Sequence, residues 1–204
     1  MGLTKNRSPL RVGVLAIQGD YAAHADALAE AGALPSLVKS GEDLRPGGEF
    51  LDGLILPGGE STTMLKFLEK QRFFDELKEY CSTRPVFGTC AGAILLAREV
   101  THPHQRSLGL LDAVVERNAY GRQIDSSILT AETVLPGGPL EMVFIRAPRI
   151  VETGPSVEIL ARREGYPVLV RQGVIMAATF HPELSGDRRV HRIFLDTVSS
   201  TVLK

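Results

Sequence analysis

Cysteine is scarce in this chain of 204 residues, charge of one sign is nearly cancelled by the other, and long apolar runs are missing. Each shortage excludes something. The two cysteines, Cys81 and Cys90, stand nine positions apart, which is neither a disulfide framework nor the paired spacing of a zinc site and points to a reducing compartment, the cytoplasm. With 23 Lys and Arg against 24 Asp and Glu, a formal net charge of -1 and a pI near 6.5, no global field draws nucleic acid or an anionic membrane. No run approaches the ~18 apolar residues that a membrane span needs. Lys5, Arg7 and Arg11 precede an apolar segment, Val12 to Ile17, that is too short for a secretion signal. Asn6 occupies the place where a myristoylation signal carries Ser or Thr. Internal repeats and long linkers are also missing, so one domain is expected over residues 1–204.

What is present is an ordinary globular composition, 44% hydrophobic and 23% charged, which excludes disordered and collagen-like chains. At this length roughly 70% of the unfolded surface can be buried. The first half alternates strand and helix. Arg11 to Ile17 is a β-rich run, and Ala22, Ala25, Leu28 and Ala29 then recur at helical spacing until Gly32. Leu34 to Val38 and Gly53 to Leu56 read as strands, 39–51 as a loop, Thr62 to Tyr80 as helix and Pro85 to Gly88 as a fourth strand. Such alternation predicts a mostly parallel sheet with helices on both faces and ligands beyond the carboxyl ends of the strands. Five short β-rich segments between Leu110 and Phe180 read as hairpins added to that sheet, and Arg188 to Leu203 as a closing amphipathic helix.

Three of the post-strand loops carry chemistry. Val86 to Leu96 is a strand, a Gly-Thr-Cys-Ala-Gly turn and a helix, the cysteine counterpart of a nucleophile elbow. Gly88 and Gly92 permit close packing that a Cβ would obstruct, and the helix start beyond Cys90 favours negative charge. Thr179-Phe-His-Pro-Glu183 follows another strand, and in an extended segment His181 and Glu183 share a side, so that the carboxylate can orient an imidazole base. Leu54-Ile-Leu-Pro-Gly-Gly-Glu-Ser-Thr-Thr63 brings backbone donors: the Gly59 and Ala91 amides form the pair that acyl transfer requires as an oxyanion hole. Ser61 or Thr62 also reads as the cap of the next helix. His102-Pro103-His104 lacks further metal ligands. His24 reads as a solvated or locally bonded histidine, and Cys81 as structural.

In this order, the elbow, the Pro-Gly-Gly loop and His-Pro-Glu resemble the class I, triad-type glutamine amidotransferases. Ile17-Gln18-Gly19, Leu56-Pro-Gly-Gly-Glu-Ser-Thr-Thr-Met64, Phe87-Gly-Thr-Cys-Ala-Gly92, Val115-Glu-Arg-Asn-Ala-Tyr-Gly-Arg-Gln-Ile-Asp125, Phe144-Ile-Arg-Ala-Pro148 and Phe180-His-Pro-Glu183 resemble one branch, the glutaminase subunits of pyridoxal 5′-phosphate synthases. The resemblance covers the chain from the first strand to the last helix. It departs in an N-terminal extension over residues 1–10, in length around Arg45 to Phe50 and Thr101 to Ser107, and at Ala119-Tyr120 inside a motif expected to vary there, none of which touches the triad.

The resemblance implies an α/β, flavodoxin-like three-layer sandwich. It also implies hydrolysis of L-glutamine through a thioester, with ammonia passed to a (β/α)8-barrel synthase subunit, and no cofactor or metal in this chain. Cys90, His181 and Glu183 would be catalytic. Gly59, Glu60, Ser61, Arg117, Ile145 and Arg146 match the family's glutamine contacts, where arginine suits a carboxylate and glutamate an ammonium. Gln18 matches a position near the oxyanion hole and the subunit interface, with an expected role in activation. Two alternatives compete: another class I glutaminase, such as that of imidazole glycerol phosphate synthase, and a catalytically idle regulatory subunit. A cysteine hydrolase of related fold leaves Glu60, Arg117 and Arg146 without a purpose.

Overall fold

The computed structural model describes residues 8–117 and 127–203. Strand β1 (Arg11–Leu15) leads through helix α1 (Tyr21–Glu30) to β2 (Leu34–Val38), and a loop with two short 3₁₀ turns leads on to β3 (Gly53–Leu56). Helices α2 (Ser61–Lys70) and α3 (Phe74–Thr83) precede β4 (Val86–Thr89), which runs into the short helix α4 (Ala91–Leu96). The period of two sorts the strand residues between two cores. Leu54 and Leu56 pack with Met64, Leu68 and Leu77, whereas Ile55 joins Val12, Val14, Leu28 and Phe87 on the opposite face. Each such fully buried side chain contributes about 1.5–3 kcal/mol of apolar transfer energy.

The second half adds β5 (Ala97–Thr101), β6 (Leu111–Glu116), β7 (Ser127–Ala131), β8 (Leu140–Phe144), β9 (Arg149–Thr153), β10 (Glu158–Arg163), β11 (Tyr166–Gln172), β12 (Ile175–Ala178) and the terminal helix α5 (Arg189–Val202). The main sheet has seven strands in the order β10-β11-β12-β4-β3-β1-β2. From β12 to β2 every pairing is parallel, while β10 and β11 form an antiparallel edge. Val190, Phe194 and Val198 of α5 recur every four residues and dock beside Phe87, whose ring centroid is 5.7 Å from that of Phe194. Among the described residues no helix is long and apolar enough to cross a membrane.

Three departures from the sequence reading have physical causes. The helix expected over Thr62 to Tyr80 breaks between α2 and α3, where Arg72 takes a left-handed φ of 57°. The break lets adjacent Phe73 and Phe74 both enter the core, although neighbours on one helix diverge by about 100°. The expected hairpins divide among three sheets: β10 and β11 extend the main sheet, while β5-β6-β9 and β7-β8 stand apart. Finally, β5, β7 and β9 are short and carry exposed or charged alternate positions, which left no apolar run to read.

Candidate active site

The site forms where the chain leaves β1, β3, β4 and β12, at the carboxyl edge of the parallel strands. Cys90 lies between β4 and α4 with φ 47° and ψ -103°, a conformation costing a non-glycine residue about 1–3 kcal/mol. Its N–H donates to Ala178 O at 2.9 Å, and its carbonyl accepts from Ile94 N–H at 3.2 Å. The flanking glycines allow the crossing: a Cβ on Gly92 would stand 1.9 Å from Leu56 O, and one on Gly88 2.6 Å from the Gly92 backbone.

His181 is anchored across to β8 by its N–H, which donates to Val143 O at 2.8 Å. Its Nδ1 lies 2.7 Å from Glu183 Oε1, and its side chain also hydrogen-bonds Cys90. Cys90, His181 and Glu183 are all buried. Burial alone would lower the His181 pKa, but the hydrogen bonds to Cys90 and Glu183 outweigh it and raise the pKa above the ordinary imidazole value. The two residues meet through a 3₁₀ turn over Pro182–Leu184, not through the extended segment expected from the sequence, because Pro182 starts a turn as readily as it stiffens a strand. Gly58, unmarked in the sequence reading, backs the ring. A Cβ there would lie 2.4 Å from His181 Cε1 and 3.3 Å from Cys90 Cβ.

Cys90 and His181 open into a cleft of about 290 Å³. Its walls include Gly59, Glu60 and Ser61 from the loop after β3, Arg117 after β6, and Ile145 and Arg146 after β8. Arg146 is exposed and has a left-handed φ of 44°. Glu60 caps α2, in place of the Ser61 or Thr62 cap expected from sequence: its carboxylate accepts from Thr62 N–H at 3.0 Å, Thr63 N–H at 2.7 Å and the Thr63 hydroxyl at 2.6 Å. Partial burial opposes ionisation there, yet these bonds from Thr63 and Thr62 lower its pKa to about 2. Arg117 Nη2 donates to Thr62 Oγ1 at 2.6 Å and stands 3.4 Å from Glu60 Oε1. Ser61 is buried and donates to Gln105 Oε1 at 3.0 Å, a partner 44 positions away that a local reading does not reach.

Gln18 lies over the Gly59 loop, donating from Nε2 to Glu60 O. Gly59 itself has φ +135°, and a Cβ there would come within 3.2 Å of the Gln18 amide. Ala91 is the buried first residue of α4, whose leading N–H groups have no acceptor within the helix. Asn118 to Asp125, the end of the Val115 to Asp125 motif, and residues 1–7 of the N-terminal extension lie outside the described residues. Cys81 is buried in α3, and burial pushes its thiol pKa up. Among the described residues no group of three or more His, Cys, Asp or Glu is placed to hold a metal. His24, expected to be solvated or locally hydrogen-bonded, is fully buried and meets Thr89 and His191, both distant in sequence.

The profile of the SNO glutamine amidotransferase family matches residues 14–200. Over 189 residues the chain is 57% identical to the pyridoxal 5'-phosphate synthase subunit PdxT of Koribacter versatilis (strain Ellin345), covering 93% of this chain and 96% of that relative. The protein of the same name from Thermotoga neapolitana is 51% identical over 191 residues, 93% of this chain and 100% of the relative. A crystal structure described as a glutamine amidotransferase is similar at a TM-score of 0.84 and 46% identity, over 92% of this chain and 98% of that one. PurLQS from Thermotoga maritima, at a TM-score of 0.66 and 15% identity over 96% of this chain and 98% of that one, shares the fold.

Proposed function

This chain belongs to the SNO glutamine amidotransferase family, and on that premise we propose that it is the glutaminase subunit of a pyridoxal 5′-phosphate synthase. The observation that carries the reading is the buried run Cys90, His181, Glu183 opening on a cleft with two arginines and a glutamate. That cleft offers opposite charges to the two ends of an α-amino acid: Arg117 and Arg146 to its carboxylate, Glu60 to its ammonium. Ser61 and Ile145 complete the pocket's walls, and the full span acts as one amidotransferase domain with residues 1–10 as an extension.

His181 takes the thiol proton of Cys90, and Sγ bonds to the carboxamide carbon of L-glutamine. The carbonyl electrons move to oxygen, where the Gly59 and Ala91 N–H groups hold the charge. His181 returns the proton to the amide nitrogen, the C–N bond breaks, and ammonia leaves a thioester. Water, deprotonated by His181, attacks the same carbon; the C–S bond breaks, Cys90 is regenerated and glutamate departs. Glu183 keeps the His181 Nδ1 hydrogen in place, which directs Nε2 at the sulfur. Ammonia passes to a (β/α)8-barrel synthase subunit. Gln18, bonded to the Gly59 loop, ties that subunit's arrival to the state of the oxyanion hole.

Glutamate release from L-glutamine by the chain alone, with the synthase subunit, and with Cys90→Ala as the blank tests this. The expected result is low release alone, strong stimulation by the subunit and none in the blank. Equal release with and without the subunit would assign the glutaminase to another acceptor.

A further inference from the structure

The line of the triad does not stop at Glu183. Its Oε1 meets His181, but Oε2 is buried and has no hydrogen bond of standard geometry among the described residues. The polar atom facing Oε2 is Nε2 of His24 on α1, 3.2 Å away, with both side chains fully buried. The same Nε2 lies 3.1 Å from Thr89 Oγ1 at the end of β4, and His24 Nδ1 lies 3.1 Å from Nε2 of His191 on α5. Phe87 packs edge-on against both imidazoles. One helix thus sets a buried imidazole against the carboxylate oxygen, and a second helix and a strand spend buried polar groups on that imidazole, although apolar side chains would pack there without that cost.

The contacts assign the protons. His191 Nδ1 is buried with no hydrogen-bond partner, and an orphaned N–H is rarer in folded proteins than an orphaned acceptor. The His191 hydrogen therefore sits on Nε2 and is donated to His24 Nδ1, which puts the single His24 hydrogen on Nε2, facing Glu183 and Thr89. The opposite tautomer would set a lone pair against a carboxylate oxygen. Other charged groups lie further out: His181 beyond Glu183, and Arg188 beside His191 with its guanidinium 2.6 Å from Glu30. Burial first, then His191 and His181 at His24 and Arg188 against the opposing Glu30 at His191, lower both pKa values, His24 well below the ordinary value and His191 to about 4.

We infer that His24, backed by His191, is a positioning residue whose Nε2–H, bonded to Thr89 Oγ1, also faces Glu183 Oε2 at 3.2 Å and by that electrostatic contact fixes the carboxylate that orients His181. The inference rests on the triad reading above. The test compares His24→Leu, His24→Asn and His24→Gln in the complex with the synthase subunit, with circular dichroism for folding. A glutamine amide reaches the Nε2 position with an N–H, an asparagine amide stops near Nδ1, and leucine has no donor. Leaving a buried charged acceptor unpaired predicts a kcat loss of about ten- to a hundredfold in His24→Leu and His24→Asn. KM stays within about twofold, and His24→Gln recovers kcat to within about threefold of wild type. The downfield proton resonance of His181 Nδ1–H shifts in His24→Asn and returns in His24→Gln, which a packing role would not produce. If the leucine variant fails to fold, the asparagine and glutamine pair decides. A folded His24→Asn with the kcat of wild type or of His24→Gln would overturn the inference. Glutaminase activity surviving in Cys90→Ala would overturn the triad itself instead.

Discussion

Single atoms decide the chemistry at Gly58 and Cys90. The left-handed backbone at Cys90 is kept by its N–H bond to Ala178 O and by the close crossing of Gly88 and Gly92, so the strain is held by the scaffold and lifts the thiol above the sheet. At Gly58 the constraint is a missing Cβ, which would stand 2.4 Å from His181 Cε1. Gly58→Ala should push the imidazole away from Cys90 and lower kcat by about a hundredfold, since a 1 Å misplacement costs that much. Gly186→Ala, with nothing within 4 Å of its Cβ, serves as the control, and steady-state kinetics with the synthase subunit read both. A Gly58→Ala enzyme as fast as the control would show that the ring has room. The sequence marks the Pro-Gly-Gly loop as a place where donors face a ligand, but two adjacent glycines do not say which one backs the base. That Cys90, His181 and Glu183 come together was legible from the shared sheet edge on which their loops follow strands, since His-x-Glu by itself is a common surface pair.

At the scale of elements, α1 and α5 meet behind the sheet through His24 and His191, and this seam makes stability depend on pH. Both histidines have pKa values lowered in the fold, His191 to about 4, while in the unfolded chain they titrate near the ordinary value. As pH falls below about 6.5 the unfolded state binds a proton at each site that the folded state refuses, so stability drops by about 1.4 kcal/mol per pH unit per histidine. His181 acts the other way: its raised pKa gives stability that is complete below the unfolded value and is lost as pH rises through the folded value. Below about pH 6.5 it is protonated in both states and adds no slope. Urea unfolding between about pH 6.5 and 5 should therefore show a slope near two protons, reduced to about one in His24→Gln. A flat profile, or one that His24→Gln leaves unchanged, would contradict neutral buried histidines. Neither histidine announced this in the sequence. They are 167 positions apart, and a helix-borne histidine reads the same whether its partner is water or another ring. Strands β2 and β3, by contrast, were legible to the residue from their apolar runs. The break between α2 and α3 was not, because both sides of it are helix-forming.

For the whole molecule, the parallel strands β2-β1-β3-β4-β12 follow from the strand and helix alternation, and their shared carboxyl edge is where loops 91 residues apart, at Cys90 and His181, were expected to meet. The two satellite sheets were not expected as separate units, yet β6 and β8 lead directly into Arg117 and into Ile145 and Arg146, which close the cleft. Glutaminase chemistry alone would waste glutamine, because free ammonia is lost or protonated. Service as one subunit of a synthase, releasing the nitrogen that another subunit uses, accounts for that chemistry. The decisive measurement gives the assembled complex L-glutamine carrying heavy nitrogen in its side-chain amide, in the presence of unlabelled ammonium, and reads the mass of the pyridoxal 5′-phosphate formed. Heavy nitrogen in the product of the wild-type complex, absent with Cys90→Ala, is the predicted result; unlabelled product from an active wild-type complex would contradict the delivery of ammonia from this site.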